Sequence, residues 1–122
     1  MPKVTETTLE INLASLKYNF EFLKSKLNDK TLFLAVVKAF AYGNDAVVVA
    51  ECLQNMGVDY FAVAYIKEGV ALRQAGIKTP ILVLHPQENN LHLAIEHCLE
   101  PSLYNLKILQ TFEHIAHQGH QK

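Results

Sequence analysis

Cysteine is scarce in this chain: two thiols in 122 residues, Cys52 and Cys98, with no C-x-x-C or other framework spacing. That excludes a disulfide scaffold and fits a reducing cytoplasm, with both thiols expected as small core hydrophobes. An excess of either charge is missing as well. Lys+Arg total 11 against 12 for Asp+Glu, with no basic run or stripe, so nothing argues for nucleic acid or an anionic membrane as partner. No apolar run approaches the roughly 20 residues that cross a bilayer. The polar opening Met1-Pro2-Lys3-Val4-Thr5-Glu6-Thr7-Thr8 lacks the apolar core of a signal peptide. No G-x-G-x-x-G follows the first strand, which disfavours a dinucleotide site.

What is present is a hydrophobic half, dominated by Leu, Val, Ala and Ile, in a chain the size of one domain. Thr8-Leu9-Glu10-Ile11 alternates like a short strand. Asn12 then caps a helix in which Leu13, Leu16, Phe20, Leu23 and Leu27 recur at helical spacing. The unalternating run Thr31–Val37 reads as a strand covered on both faces. Residues 46–56 are ambiguous, because Val47-Val48-Val49 favours a strand. The length of that segment, its run to Gly57 at a C′ position and the spacing of Glu51, Gln54 and Asn55 make it a helix. Tyr60–Ala64 and Ile81–Leu84 read as buried strands, with a helix from Lys67 to Ala75 between them. A short helix near 91–97, a weak strand near 99–102 and a helix from about 105 to 117 complete the chain. Helices and strands thus alternate through short connections, the pattern of about four parallel βα units. Two closures fit: an open doubly wound sheet, or an incomplete (β/α)8 TIM barrel. In both, ligands gather at the carboxyl ends of the strands.

Lys38 stands at such an end, closing the apolar run 31–37. An amine there, held by a packed strand and partly desolvated, is a candidate Schiff-base nucleophile. The same residue also reads as a solvated gatekeeper whose stem lies along its neighbours. His114, His117 and His120 have a spacing that places neighbours on one helix face. Gly119 is expected to end that helix before the third histidine, so no metal is expected there.

The segment Val36-Val37-Lys38-Ala39-Phe40-Ala41-Tyr42-Gly43 resembles the pyridoxal-phosphate lysine motif of the alanine racemases, V-K-A-N-A-Y-G-H-G. Leu9–Leu13 with Asn19, Gly57–Ala64, Glu68-Gly69 with Leu72–Ile77, and Pro80–Leu84 extend the resemblance over residues 7 to 118. Two departures stand out: Phe40 replaces the motif's Asn, and Asn44-Asp45 replaces His-Gly. Position 40 is expected beside the cofactor site, and Asp45 is expected to cap a helix better than Gly.

The resemblance implies an α/β fold, an incomplete TIM barrel, and a chain that is the N-terminal portion of a pyridoxal-phosphate-binding barrel. The remaining strands and a C-terminal β domain would lie outside it. It also implies that Lys38 binds pyridoxal 5'-phosphate covalently and acts as one catalytic base, and that Tyr42 binds the cofactor phosphate. Val36 and Leu84 would line the cofactor pocket, with His85 as a neighbour on the same rim. The implied substrate is L- or D-alanine, in a cytoplasmic homodimer whose partner subunit supplies the second acid/base group as a tyrosine of its C-terminal domain. The isolated chain is then expected to be inactive. Two other readings remain: a single-domain pyridoxal-phosphate carrier on the same barrel, and a non-catalytic α/β piece whose lysine only decorates a strand end.

Overall fold

The computed structural model describes residues 7–119. Helix α1 spans Leu13–Lys24. Asn12 starts it by accepting the Ser15 amide at 3.0 Å, which satisfies one of the unpaired donors of a first turn. Only Phe20 of this helix is buried, with its ring edge-on to Phe33 at 4.8 Å. The helix stops three residues before Leu27. There Asn28 turns the chain, its side chain accepting from the Lys30 amide and the Thr31 hydroxyl.

Strand β1 (Leu34–Val36) opens a sheet continued by β2 (Tyr60–Val63), β3 (Ile81–Val83) and β4 (Glu100–Pro101). All pairs are parallel and the spatial order is β1-β2-β3-β4. That order decides between the two closures. A doubly wound sheet reverses strand order at a switch point, whereas a barrel adds each strand beside the last.

The pleat separates the two faces. Phe61, Val63, Ile81 and Val83 are fully buried on one of them. The register puts Leu34, Val36, Ala62, Leu82 and Glu100 on the other. The helices cover the first face: α3 (Ala46–Asn55), α4 (Ile66–Gln74), α5 (Leu91–Glu96) and α6 (Leu106–Gln118), each touching the next, with α1 against α3. The second face is left open, and Leu34 and Leu84 are each 42% exposed there. This is the layering of a barrel segment seen from its inner wall.

The ambiguous Val-Val-Val segment is helical. Asp45 accepts the amides of Val47 and Val48 at 3.0 and 3.1 Å, while Ala50 and Leu53 are buried. Gly57 follows at φ +85°, a left-handed position that closes helices without a Cβ penalty. Between α5 and α4, Leu99 packs so closely on Gly69 that a Cβ there would meet its methyls at 2.9 and 3.0 Å.

The loops entering the strands are pinned by side chains. Asp59 accepts the Phe33 amide, and Gln54 accepts both the Lys78 and Thr79 amides. Arg73 donates to the carbonyls of Ile77, Thr79, His97 and Cys98. Its planar fork spans two loops that a lysine could not reach together.

Three expectations fail. The run Thr31–Val37 is a strand only over Leu34–Val36 and is covered on one face, with Leu34 and Val36 exposed on the other. Residues 8–11 form no strand, and Leu9 is exposed. Their alternation suits a pleat, but none of the four strands pairs with them. Cys98 is exposed rather than core, at φ +52° in the turn before β4, whereas Cys52 is buried as expected.

Candidate functional site

The carboxyl ends of β1, β2 and β3 form a rim, and Lys38 stands on it. Val37 anchors the approach: it is buried, and its amide donates to Ala62 at 2.9 Å. Two residues beyond the register pair Val36–Ala62–Leu82 come Lys38, Ala64 and Leu84. The ladder continues to that row, with the Leu84 and His85 amides donating to Val63 and Ala64. By pleat parity Val36 and Leu84 share the open face, and Lys38 follows just beyond the end of β1, where Val37 leaves the extended conformation at ψ 22°. Val36 is 37% exposed there, and Lys38 is half-buried.

The chain then does something the sequence does not announce. Helix α2 (Lys38–Gly43) is a single left-handed turn: Ala39, Phe40, Ala41 and Tyr42 have φ between 51° and 59° and ψ between 40° and 53°. Each such residue costs roughly 1–2 kcal/mol relative to the right-handed form. The turn is held from several sides. The Ala41 amide donates to Val37 at 3.1 Å, and Asn44 Nδ2 donates to the Ala41 carbonyl at 2.7 Å. The Ala39 amide donates to Glu68 Oε2 at 2.7 Å, and the Ala41 side chain is buried. Strain persisting under such constraint is typical of functional sites.

The reversed hand throws Phe40 and Tyr42 outward, 76% and 65% exposed. Tyr42 sits on this turn, between β1 and α3. Among the described residues, neither the Lys38 amine nor the Tyr42 hydroxyl has a hydrogen-bonding or ionic partner.

Three aromatic rings from the next loops continue the rim. His85 stacks on Tyr104 at 5.3 Å and 16°, and meets Tyr65 edge-on at 5.9 Å. Tyr104 also donates to the Pro86 carbonyl. Of these three rings, only His85 was expected on the rim. Tyr65 and Tyr104 each lie just past a strand end, which is the signal that finds them.

A cleft of about 490 Å³ opens behind the turn, lined by Val37, Phe40, Asp45, Val63, Glu68 and Leu72 among others. Lys38 does not line it. The cleft lies on the helix side of the sheet, against Val63 of β2 and Leu72 of α4. Far from the rim on α6, His117 lies 3.7 Å from Glu113 and His114 contacts Gln118. His120 is outside the described residues, and no group of three metal-ligating side chains occurs among those described. No helix among them is long and apolar enough to cross a membrane.

The donor set suits pyridoxal phosphate. An unpaired primary amine matches its aldehyde, an unpaired phenol matches a phosphate oxygen, and the apolar wall of Val36 and Leu84 matches the face of its ring.

Known proteins agree with this architecture. The alanine racemase 1 of Caldanaerobacter subterraneus subsp. tengcongensis is 36% identical over 111 residues, 90% of this chain and 29% of that protein. The alanine racemase of Clostridium difficile 630 superimposes with a TM-score of 0.89 at 37% identity, covering 92% of this chain and 30% of its own. That of Bartonella henselae, solved with covalently bound pyridoxal phosphate, has a TM-score of 0.80 at 24% identity and bears on the fold alone. The chain spans about three tenths of the length of the relatives it matches. Residues 11–122 match the family described as alanine racemase, N-terminal domain, and with nearly the whole chain inside that match, this protein belongs to it.

Proposed function

We propose that this chain supplies the lysine-bearing part of a pyridoxal-phosphate-dependent racemase that interconverts L- and D-alanine. The observation that carries the proposal is the unpartnered Lys38 amine on the open, apolar rim of a barrel segment. When bound, pyridoxal phosphate supplies an electron sink for the pair left behind as a substrate loses its α-proton. Lys38 Nζ would hold the cofactor through its aldehyde carbon and, when free, would take or return the α-proton on one face. Tyr42 would donate a hydrogen bond from its hydroxyl to a phosphate oxygen and add no charge. Val36 and Leu84 would cover one side of its ring.

Inversion needs a second acid/base group on the opposite face. The family resemblance assigns that group to the other subunit of a homodimer, and the remaining barrel strands and a C-terminal β domain to sequence outside this chain. A cytoplasmic enzyme providing D-alanine for peptidoglycan is the setting this reading implies.

Two experiments test it. Pyridoxal phosphate is added, the mixture reduced with borohydride, and the modified lysine mapped by peptide mass. The label is expected on Lys38 and absent after Lys38→Ala. A label scattered over surface lysines, or unchanged by the substitution, overturns the assignment. Separately, residues 7–119 replace the matching segment of the Clostridium difficile relative. L-to-D conversion is expected to survive in that chimera and to vanish with Lys38→Ala.

A further inference from the structure

Glu68 is the third residue of α4, and its carboxylate does two jobs at once. Oε1 accepts the amides of Ala64 and Tyr65 at 3.0 and 2.9 Å, which caps α4 at its own N-terminus. Oε2 accepts the amide of Ala39 at 2.7 Å, 29 residues away in sequence. Ala39 directly follows Lys38 and is the first residue of the left-handed turn. One side chain therefore ties the end of β2 to the peptide bond that leaves the lysine. All three donors are backbone N–H groups, so the site wants acceptors on both oxygens.

We propose that Glu68 is a positioning residue for Lys38: by clamping the Lys38–Ala39 peptide, it sets the direction in which the amine leaves the strand end. The role rests on the cofactor reading of Lys38 given above. The turn is costly backbone in four residues that are not glycine. Ala39 is exposed, so without Glu68 its amide would turn to water, the tie to α4 would be lost, and the segment would relax toward cheaper dihedrals. The Lys38 side chain would move with it. No other charged side chain among the described residues hydrogen-bonds the segment 38–42.

Glu68→Gln separates the two jobs. Its amide oxygen can keep the Ala64 and Tyr65 pair, the larger share of the bonds, leaving an NH2 group facing the Ala39 donor. The full 122-residue chain, wild type and Glu68→Gln, is compared in two measurements. Without cofactor, hydrogen exchange at the Ala39 amide is expected to speed up about tenfold while Phe61 and Val63 in β2 keep their protection. With pyridoxal phosphate and borohydride, the yield of label on Lys38 at limiting cofactor is expected to fall about tenfold, with the residue still on Lys38. Both changes together support the role. Any other combination overturns it, including protection lost equally across β2, which would make Glu68 a structural cap only. A wild-type chain that takes no label on Lys38 sinks the cofactor reading, and the positioning role with it, whatever happens at Ala39.

Discussion

Tyr60 and Glu100 show how a residue on the inner wall of a barrel segment acquires a titration of its own. The phenol reaches across β3 and donates to both carboxylate oxygens, at 3.1 and 2.9 Å. The hydrogen bond to Glu100 raises the Tyr60 pKa above 10.0; desolvation and the carboxylate's charge act in the same direction. Because the folded-state value lies above the unfolded one, the stabilisation from this pair is complete below about pH 10. It is lost as pH rises through the folded value. Alkaline titration of phenolate absorbance, with Tyr60→Phe to identify the component, should find Tyr60 ionising above the value of a free tyrosine. Glu100→Gln should bring it back down. A Tyr60 component that ionises no later than a free tyrosine would contradict the geometry.

Lys38 was legible at this scale because an apolar run ending in a lysine is a pattern in the sequence itself. The left-handed turn after it was not. Ala-Phe-Ala-Tyr contains none of the residues that normally adopt positive φ, so nothing local announced it. Glu68 stayed hidden for a related reason: its capping pattern starts from Tyr65, not Ser or Thr, and its contact with Ala39 is tertiary.

At the scale of elements, α3 depends on one cap. Asp45 satisfies two first-turn amides, and the three valines behind it add little helix propensity of their own. Asp45→Ala should therefore cost about 1 kcal/mol of stability, read as a lower midpoint in urea with an unchanged slope. An unaltered midpoint would mean the valines and the buried Ala50 and Leu53 hold the helix unaided. The same helix shows why sequence succeeded here: length, a cap and a closing glycine outweighed the local preference of the valines for strand. Residues 8–11 show the opposite. Alternation there was sound as local preference, but a strand exists only where a neighbour offers its edge. None of β1 to β4 pairs with residues 8–11, although β1 has a free edge. Cys98 was misjudged likewise, since a turn at positive φ, not hydrophobicity, places it at the surface.

The molecule as a whole has an inside that is not closed. β1 and β4 are open edges of a parallel sheet, and Leu34, Val36 and Leu84 present apolar surface between them. Parallel sheets are normally covered on both faces, and unpaired edges recruit other strands. The 122-residue chain on its own is therefore expected to self-associate at micromolar concentration in sedimentation experiments. Val36→Lys combined with Leu84→Lys should shift it toward monomer by charging the wall. A wild-type chain that sediments as a monomer across that range would overturn this. Under the proposed function, the same chain alone is expected to convert no alanine in a coupled D-alanine assay, because inversion would require a second acid/base group opposite Lys38.

What the sequence determined by itself was the alternation of helices and parallel strands, most element boundaries, and the placement of a lysine at a strand's carboxyl end. These follow from periodicity, caps and glycine positions, which act over a few residues. Tertiary structure decided the rest: the strand order that favours a barrel over a doubly wound sheet, the reversed hand of the turn after Lys38, and the carboxylate of Glu68 that holds it. Each depends on groups tens of residues apart meeting in space, which no run of neighbouring residues can specify.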